Sequence, residues 1–520
     1  MLDLIIQNGT ILDGSGTTHY TADIGIRQDK IVQIGSLTTA EGHTVIEAQG
    51  KIVAPGFVDV HTHADGWLLN TPHFISKTSQ GFTTEVLMAD GISYAPVNAH
   101  TARQWLYYLR SLNGLQLAEY QGWQSVADYM ALLDGRTAQN SIAHIPYANV
   151  RTLACGFGRS GPDDYQMRQI KAEIERGMAE GAVGLSTGLD YIVQCFASTE
   201  ELVEACQAMA TSQGLYVTHI RYKKGVLAGL QEAVEIGRRA GVPVHISHLK
   251  AGSEAESEAV LTYIDTVARQ EVDFSFDVYP YMPASTMLNS LLPYEVWADG
   301  PLGVIDRLKD PHLRARFAHS PSMPNLDTTT LAWLPSKANS PYQGQPLRTY
   351  VAASGRSAAD ALCDLLIEEG LAVLMVIGQG EESLLAPFLQ HPCYMMGSDG
   401  IYQPEGVVHP RQFGSAPRLL GPCVRDHGWF SLEEAVRKLS GTPAARFGLT
   451  ERGLLKEGYF ADVVIFDPAT VSDRATYAEP QQLSVGIEDV LVNGVPIIRQ
   501  GQPVEDLGEP LPGRALRFRG

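Results

Sequence analysis

Two histidines separated by a single residue are the strongest chemical signal in the chain. His61 and His63 follow a Pro-Gly turn and the apolar run Phe57–Val60. Alternate residues of a strand point to the same side, so both imidazoles should project from one strand end. Imidazole is a favoured ligand of Zn²⁺, and the pair therefore predicts a metal site.

Two further histidines also close apolar runs. His219 ends Leu-Tyr-Val-Thr-His, and His248 ends Val-Pro-Val-His-Ile-Ser-His. If these runs are strands of one barrel, their carboxyl ends meet on a single face, and histidines far apart in the chain reach the same ion. His245 lies three residues before His248, so we expect it to face the other side of its strand as a packed or hydrogen-bonded residue.

Asp399 follows the apolar run Tyr394–Met396 and completes this set of residues. A carboxylate beside a metal-activated water can take its proton and pass it to a leaving nitrogen. In isolation, the same residue could simply cap the following turn. Because the chain has no nucleophile elbow and no Ser/His/Asp pattern, the set favours metal-assisted hydrolysis of an amide or related C–N bond, with Asp399 as ligand and proton carrier.

Strands and helices alternate through the middle of the chain. Strand-like apolar runs recur at Phe57–Val60, Thr84–Met88, Val183–Leu185, Tyr216–His219, Val244–His248, Phe274–Tyr279 and Tyr394–Met396. Helical patterns lie between them at Met167–Glu180, Thr199–Ser212, Leu227–Ala240 and Ala255–Glu271. This alternation predicts parallel strands with crossover helices, and its extent favours an α/β fold with a TIM-like (β/α)8 barrel over a doubly wound sheet.

The two ends of the chain differ from the middle. Short strand-like segments separated by turns, one of them at Asn8-Gly9, fill the beginning and return at Asp462–Phe466 and Val490–Asn493. We therefore expect one small β domain built from both ends. A stretch rich in Pro, Ser and Asn breaks the alternation and is expected to be an insertion, with a lid as its possible role. The expected boundaries are 1–55 plus 440–520 for the β domain, 56–439 for the barrel and 290–345 for the insertion.

Composition limits the classes of function. The chain has 520 residues and a formal net charge of −19. Without a basic stripe, binding to nucleic acid is not expected. No run of about 18 apolar residues occurs, and six scattered cysteines lack a CxxC spacing. We therefore expect no membrane span and no zinc ribbon, in a cytoplasmic protein with free thiols.

Several segments carry a family resemblance. The more general ones are Asp3–Gly16, Ala54–His63 and Gly458–Asp467. The more specific ones are Ser79–Thr84, Gly184–Leu189, Val242–Lys250, Asp277–Tyr281 and His409–Arg411. Through them the chain resembles the amidohydrolase superfamily, and within it the D-aminoacylase (N-acyl-D-amino-acid deacylase) family, over nearly its whole length. The resemblance implies a TIM-like barrel beside a β-sandwich domain formed by both chain termini.

The resemblance also implies a cofactor and roles for single residues. Zn²⁺ would be held at His219 and His248, with a second metal position near His61 and His63, and Asp399 would be the general base and acid. The implied partner is a small-molecule substrate with a carboxylate. Residues suited to hold that carboxylate are Lys250, Tyr191, Tyr279 and Ser285.

Two departures from the family pattern stand out. Asp90 occupies the place of a metal-binding cysteine after the second strand. Its two oxygens could bridge two ions, and because carboxylate is a harder ligand than thiolate, the preference could shift toward Mn²⁺ or a binuclear centre. Pro146-Tyr147 stands where the family tends to have Gly-His. Together the departures suggest a side branch whose substrate differs from an N-acyl-D-amino acid.

Three functions follow from these residues. Deacylation of an N-acyl amino acid, of D configuration, is the leading hypothesis. The second is a cyclic-amide hydrolase of the dihydroorotase or hydantoinase kind. Many of those use a carboxylated lysine as bridging ligand, and Ala182–Leu189 contains no lysine. The third is an inactive binding protein, which would be expected to lack ligands that this chain retains.

Overall fold

The structure of the protein is a computed structural model that describes residues 1–37, 42–378 and 380–519. Its strands are β1 (Leu2–Ile11), β2 (Tyr20–Arg27), β3 (Lys30–Gly35), β4 (Gly42–Glu47), β5 (Ile52–Pro55), β6 (Phe57–Asp59), β7 (Phe82–Leu87), β8 (Asn140–Ala143), β9 (Ile145–Pro146), β10 (Gly184–Gly188), β11 (Leu215–His219), β12 (Val244–Ile246), β13 (Phe274–Val278), β14 (Ala284–Met287), β15 (Thr329–Trp333), β16 (Leu374–Ile377), β17 (Tyr394–Met396), β18 (Val463–Phe466), β19 (Ile487–Val492), β20 (Val495–Arg499) and β21 (Gln502–Pro503).

Its α-helices are α1 (Trp67–Asn70), α2 (Ile75–Thr78), α3 (Ala99–Leu109), α4 (Val126–Ala131), α5 (Tyr147–Cys155), α6 (Asp164–Ala179), α7 (Thr199–Gln207), α8 (Val226–Ala240), α9 (Glu254–Tyr263), α10 (Arg269–Glu271), α11 (Gly300–Arg307), α12 (Pro311–Ala318), α13 (Leu347–Ser354), α14 (Ala358–Glu368), α15 (Ala386–Gln390), α16 (Arg411–Arg418), α17 (Leu432–Leu439) and α18 (Gly441–Arg446). Within the described ranges, no helix combines the length and the apolar character needed to cross a membrane.

The middle of the chain folds into a closed barrel of parallel strands. Around the barrel the order is β6, β7, the interrupted strand β8–β9, β10, β11, β12, β13 and β17. The interruption falls at His144. The barrel closes between its last and first strands, where the backbone N–H of Val60 donates to the carbonyl of Met396 over 3.4 Å and Thr62 forms a parallel bridge with Gly400. The predicted TIM-like barrel is confirmed.

Apolar spacing explains how the crossover helices pack on the barrel. α8 buries Leu230, Val234 and Gly237, which are four and three residues apart and so share one face. Gly241, with a φ of 72°, ends this helix in the left-handed conformation that glycine adopts without strain. α6 begins earlier than the apolar pattern predicts, because Asp163 and Gln166 cap its first turn reciprocally.

Strands from both chain ends pair in a single sheet. Its order is β21-β20-β19-β18-β5-β1-β2-β3, with β4 beside β1. The C-terminal strands join the N-terminal ones through β18 and β5, which run antiparallel with Val463 opposite Pro55. The predicted turn at Asn8-Gly9 is wrong, because β1 continues through it. The chain instead forms a bulge there, where the register with β2 shifts and Asn8 adopts a φ of 59°.

The segment 290–345 folds into helices and a strand. It contains α11, α12 and β15, and β15 pairs antiparallel with β16, which in turn pairs with β14. Trp297 is 1% exposed and packs edge-to-face against Tyr108, with the ring centroids 5.4 Å apart. Pro321 and Ser322 extend from it to line a cavity at the barrel mouth. An aromatic contact of this kind fixes the segment to α3, the helix that contains Tyr108.

Candidate metal centre and substrate cavity

The six predicted ligands lie at the carboxyl ends of five barrel strands. His61 and His63 follow β6, Asp90 follows β7, His219 ends β11, His248 follows β12, and Asp399 follows β17. At the closing seam, the Asp399 N–H donates to the His61 carbonyl over 2.8 Å, and the His63 N–H donates to the Gly400 carbonyl over 3.0 Å. Barrel closure itself therefore brings the first and last ligands together.

The ligand atoms form two overlapping groups. One group contains His61, His63 and Asp399, and the other contains His61, Asp90 and His248. The Asp90 carboxylate lies between them, with Oδ1 3.5 Å from His61 Nε2 and Oδ2 3.7 Å from His63 Nε2. His219 belongs to neither group, but its Nδ1 is 3.0 Å from His248 Nε2. All six predicted residues thus converge on one small region.

Zinc fits this set of donors. His61 Nε2 and Asp90 Oδ1 are buried atoms without a hydrogen-bond partner among the described residues, and they face each other. Leaving a buried carboxylate oxygen unpaired is costly, and a cation between the two atoms would remove that cost. Imidazole nitrogens and carboxylate oxygens are both ordinary zinc ligands.

Charge holds the two carboxylates in their ionised form. Burial opposes ionisation of Asp399, yet Arg411 and then His61 hold the pKa of this carboxyl well below its usual range. Arg411 is fully buried, and its Nη1 lies 2.8 Å from Asp399 Oδ2. Burial would likewise raise the pKa of Asp90, but His61 outweighs it and the pKa falls below its ordinary value. Ionised carboxylates are the form that binds a cation.

The contact of Arg411 with Asp399 was missed by sequence reasoning, although Arg411 lies in a segment that carries the family resemblance. Its guanidinium also lies over the Tyr279 ring, with the central carbon 4.4 Å from the centroid. Its Nη2 donates to the Ser285 carbonyl over 3.0 Å. Arg411 therefore links the proposed proton carrier to the wall of the cavity.

Asp277 lies directly behind the ligands. Its Oδ1 accepts from the His248 backbone N–H over 2.9 Å, and its Oδ2 is 3.6 Å from His61 Nδ1. The same oxygen is 2.9 Å from His245 Nε2. The expectation that His245 is a hydrogen-bonded residue is confirmed, with Ser275 as its second partner. The expectation that it faces the other side of its strand is wrong, because the Asp277 oxygen that it contacts also faces His61.

The backbone is unusual at the ligands themselves. Asp90, His248 and Asp399 have φ values of 57°, 39° and 50°, and Met88 one of 63°. Residues other than glycine seldom adopt this left-handed conformation, which costs on the order of 1–3 kcal/mol each and concentrates at functional sites. The packing of the barrel around them must stabilise these conformations, which direct the three side chains toward the candidate metal centre.

A cavity of about 630 Å³ opens beside the ligands. The four predicted substrate-binding residues, Lys250, Tyr191, Tyr279 and Ser285, all line it. Lys250 Nζ donates to the Tyr279 hydroxyl over 2.8 Å and to the Met282 carbonyl over 2.7 Å. Burial, with a smaller effect of Arg411, lowers the pKa of Lys250 to about 7. A larger cavity of about 1150 Å³ lies near the amino ends of β11 to β13 and is lined by none of the predicted site residues.

Similarity to known proteins agrees with this geometry. The chain matches the amidohydrolase family over residues 44–303 and 393–498. It is 36% identical to the D-aminoacylase of Alcaligenes xylosoxydans xylosoxydans, a match that covers 95% of this chain and 94% of that protein. It is 32% identical to the N-acyl-D-aspartate deacylase of the same organism, over 99% of this chain and 95% of that protein.

A solved structure has the same architecture. It is the crystal structure of N-acyl-D-glutamate deacylase from Bordetella bronchiseptica, complexed with zinc and a phosphonate inhibitor that mimics the tetrahedral intermediate of the reaction. The TM-score is 0.84 at 33% identity, and the match covers 99% of both chains. The family resemblance inferred from the sequence motifs is confirmed. The chain belongs to the amidohydrolase family and, within it, to the D-aminoacylase group.

Proposed function

We propose that the protein hydrolyses the amide bond of an N-acyl-D-amino acid in a metal-dependent reaction. The observation that carries this proposal is the pair of overlapping ligand groups beside a cavity lined by Lys250. A metal centre next to a buried cation suits a substrate with a scissile amide and a nearby carboxylate. The similarity to deacylases of D-amino acids supports the D configuration.

The metal is zinc, bound as one or two ions by His61, His63, Asp90, His219, His248 and Asp399. When bound, zinc polarises a carbonyl and lowers the pKa of water to about 7. The two oxygens of Asp90 face different histidines, which supports a binuclear arrangement. Carboxylate in place of thiolate makes Mn²⁺ a possible second metal.

Asp399 moves the proton during hydrolysis. Its Oδ1 faces His61 and His63 at 3.7 and 3.2 Å, so it adjoins the place where the attacking water must lie. Arg411 fixes its other oxygen and favours the anion that can accept a proton. The same carboxyl then delivers the proton to the leaving nitrogen of the substrate.

Lys250, Tyr191, Tyr279 and Ser285 hold the substrate carboxylate. Lys250 supplies the charge, and the Tyr279 hydroxyl beside it supplies a second polar contact. The Tyr191 hydroxyl already has a neighbour in Thr286 at 3.3 Å, and Ser285 donates to the Met375 carbonyl over 2.8 Å. The two hydroxyls must therefore exchange or share these partners when substrate binds.

The division of the chain that we propose follows the expected boundaries. Residues 1–55 and 440–520 form a small β-sandwich domain, and 56–439 form the barrel. Residues 290–345 act as a lid, which is supported by the position of Ser322 in the wall of the cavity. A lid at that place would exclude water from the reacting bond.

A substrate panel tests the proposal. N-acetyl-D-amino acids, their L isomers, a hydantoin and dihydroorotate are incubated with the zinc-loaded protein, and the released amine or opened ring is measured along with the metal content. We expect turnover of the D isomers alone. Turnover of only the cyclic amides would overturn the proposal in favour of a hydantoinase-like reaction.

Asp399→Asn tests the proton transfer. We expect kcat to fall by about 1000-fold, because the amide cannot accept the proton, while zinc remains bound through the other ligands. Zinc per chain and kcat are measured on the same sample. Asp426→Asn, which alters an exposed carboxylate, is the control. An active Asp399→Asn variant would exclude Asp399 as proton carrier.

A further inference from the structure

We propose that Asp190 is a positioning residue for the metal ligand His219 and that Tyr294 of the insertion holds Asp190 in place. The inference rests on the proposed role of His219 as a ligand. Asp190 lies two residues beyond β10, at the same end of the barrel, and is 6% exposed. It lines the cavity beside His219.

The two nitrogens of His219 have different surroundings. Nδ1 faces the ligand groups, 3.0 Å from His248 Nε2. Nε2 points the other way and lies 3.5 Å from Asp190 Oδ2. An imidazole can offer one nitrogen to a metal only when the proton sits on the other, and a carboxylate behind the ring favours that tautomer and orientation. The geometry therefore assigns this role to Asp190.

Asp190 is itself fixed from two sides. Its Oδ1 accepts from the Tyr294 hydroxyl, and its Oδ2 accepts from the Lys223 backbone N–H over 3.2 Å. A carboxylate held by two hydrogen bonds is a rigid acceptor for the imidazole N–H.

The same contacts connect the insertion to the metal centre. The Lys223 ammonium donates to the carbonyls of Ser290 and Leu292 over 2.7 and 3.3 Å. It also lies over the Tyr294 ring, 4.7 Å from the centroid. The start of the insertion thus contacts the turn that follows β11, and β11 ends at His219. A displacement of this part of the insertion would release Asp190 and, through it, the ligand.

A second carboxylate lies behind another proposed histidine ligand of the metal centre. Asp277 Oδ2 stands 3.6 Å behind His61 Nδ1, on the side away from the unpaired Nε2. Asp277, however, also pairs with His245, so its substitution would disturb several groups at once. Asp190 has a single histidine partner among the described residues, which makes it the cleaner position to test.

The test compares zinc binding in Asp190→Ala, Asp190→Asn and Tyr294→Phe with the wild-type protein. Zinc dissociation constants are measured by competition with a chelator, and the absorption spectrum of the Co²⁺-loaded protein reports the ligand geometry. We expect a 10- to 100-fold loss of zinc affinity for Asp190→Ala. Asp190→Asn keeps an acceptor oxygen, so its zinc affinity should fall less. For Tyr294→Phe we expect zinc affinity to fall about fivefold. The Co²⁺ spectrum should change in the same order.

Glu369→Gln is the matched control. Glu369 is a buried carboxylate that binds Ser336 and Asn339 and has no histidine partner in the part of the chain that the structure describes. Its variant should bind zinc as the wild-type protein does. Wild-type zinc affinity in folded Asp190→Ala and Asp190→Asn would overturn the positioning role alone. A wild-type protein that binds no zinc would instead overturn the proposed function, and this inference with it.

Discussion

At the scale of single residues, Asp90 is the position where the family resemblance implies a cysteine. Its carboxylate lies at a point where histidines approach from two sides. Aspartate tolerates the left-handed backbone found there better than most residues, because its short polar side chain bonds locally. An aspartate at this position is therefore compatible with the fold, and the effect that we propose for it is on metal preference.

Substitution of Asp90 should change which metals bind. Asp90→Ala removes two ligand oxygens, and we expect the metal content to fall. Asp90→Cys restores a soft ligand, so its preference for Zn²⁺ over Mn²⁺ should exceed that of the wild-type protein. Competition between the two metals, followed by elemental analysis, measures both effects. Unchanged zinc content in Asp90→Ala would show that Asp90 is not a metal ligand and serves only in the turn after β7.

The convergence of the proposed ligands was predictable from the sequence, whereas the residues behind them were not. His219 and His248 each end an apolar run, and in a barrel that position fixes their location in space. Asp190 and Asp277 make their contacts with histidines across neighbouring strands, and local sequence does not predict such contacts. Arg411 reaches Asp399 through the path of the loop between them, which local patterns also do not predict.

At the scale of elements, strand β7 carries a buried carboxyl. Glu85 is fully buried, and burial raises its pKa to about 7. Gln139 donates to its Oε1 over 3.1 Å, but its Oε2 has no partner among the described residues. The native state therefore holds the proton that the unfolded chain gives up near pH 4.5.

Glu85→Gln should alter the pH dependence of stability. In the wild-type protein, the raised pKa means that stability falls as pH rises from about 4.5 to about 7, by on the order of 3 kcal/mol. The variant lacks this group, so its stability relative to wild type should increase between pH 5 and pH 8. Urea unfolding at both pH values measures the difference. Glu175→Gln, at an exposed position, should show no such trend.

Element boundaries show where local patterns fail. The largely apolar run before His61 correctly predicted a strand, because a parallel strand buried on both faces is mainly apolar. Asn8-Gly9 has the composition of a hairpin turn, yet β1 passes through it as a bulge. Pairing with β4 and β5 on one side of β1 outweighs the local preference for a turn, and that pairing involves residues far along the chain.

At the scale of the whole molecule, a polar cluster joins the terminal sheet to the barrel. Asp462 pairs with the Arg452 guanidinium and accepts from Asn140, which begins β8. Asn493 donates to Asn140 over 2.8 Å and accepts from Arg452. All four side chains are buried, and they lie at the amino end of the barrel, opposite the metal centre.

Asp462→Ala should destabilise the protein without changing the site. It leaves the Arg452 charge buried and unpaired, at a cost of about 3–5 kcal/mol. Asp467→Ala is the control, since the pair of Asp467 with Lys51 is partly exposed and contributes less than about 1 kcal/mol. Thermal unfolding measures stability, and kcat of the folded fraction should stay unchanged. Equal melting temperatures for the two variants would contradict this account.

The seam between β17 and β6 has a consequence for thermal stability as well as for catalysis. Ser398 and His61 meet there although 337 positions separate them in the chain. An ion bound by residues on both sides of the seam would close this long loop as a cross-link does. The site that binds it is complete only when the barrel is closed. Stripping the ion should therefore lower the resistance of the protein to heat together with its turnover. Thermal stability and activity would then depend on the same bound metal.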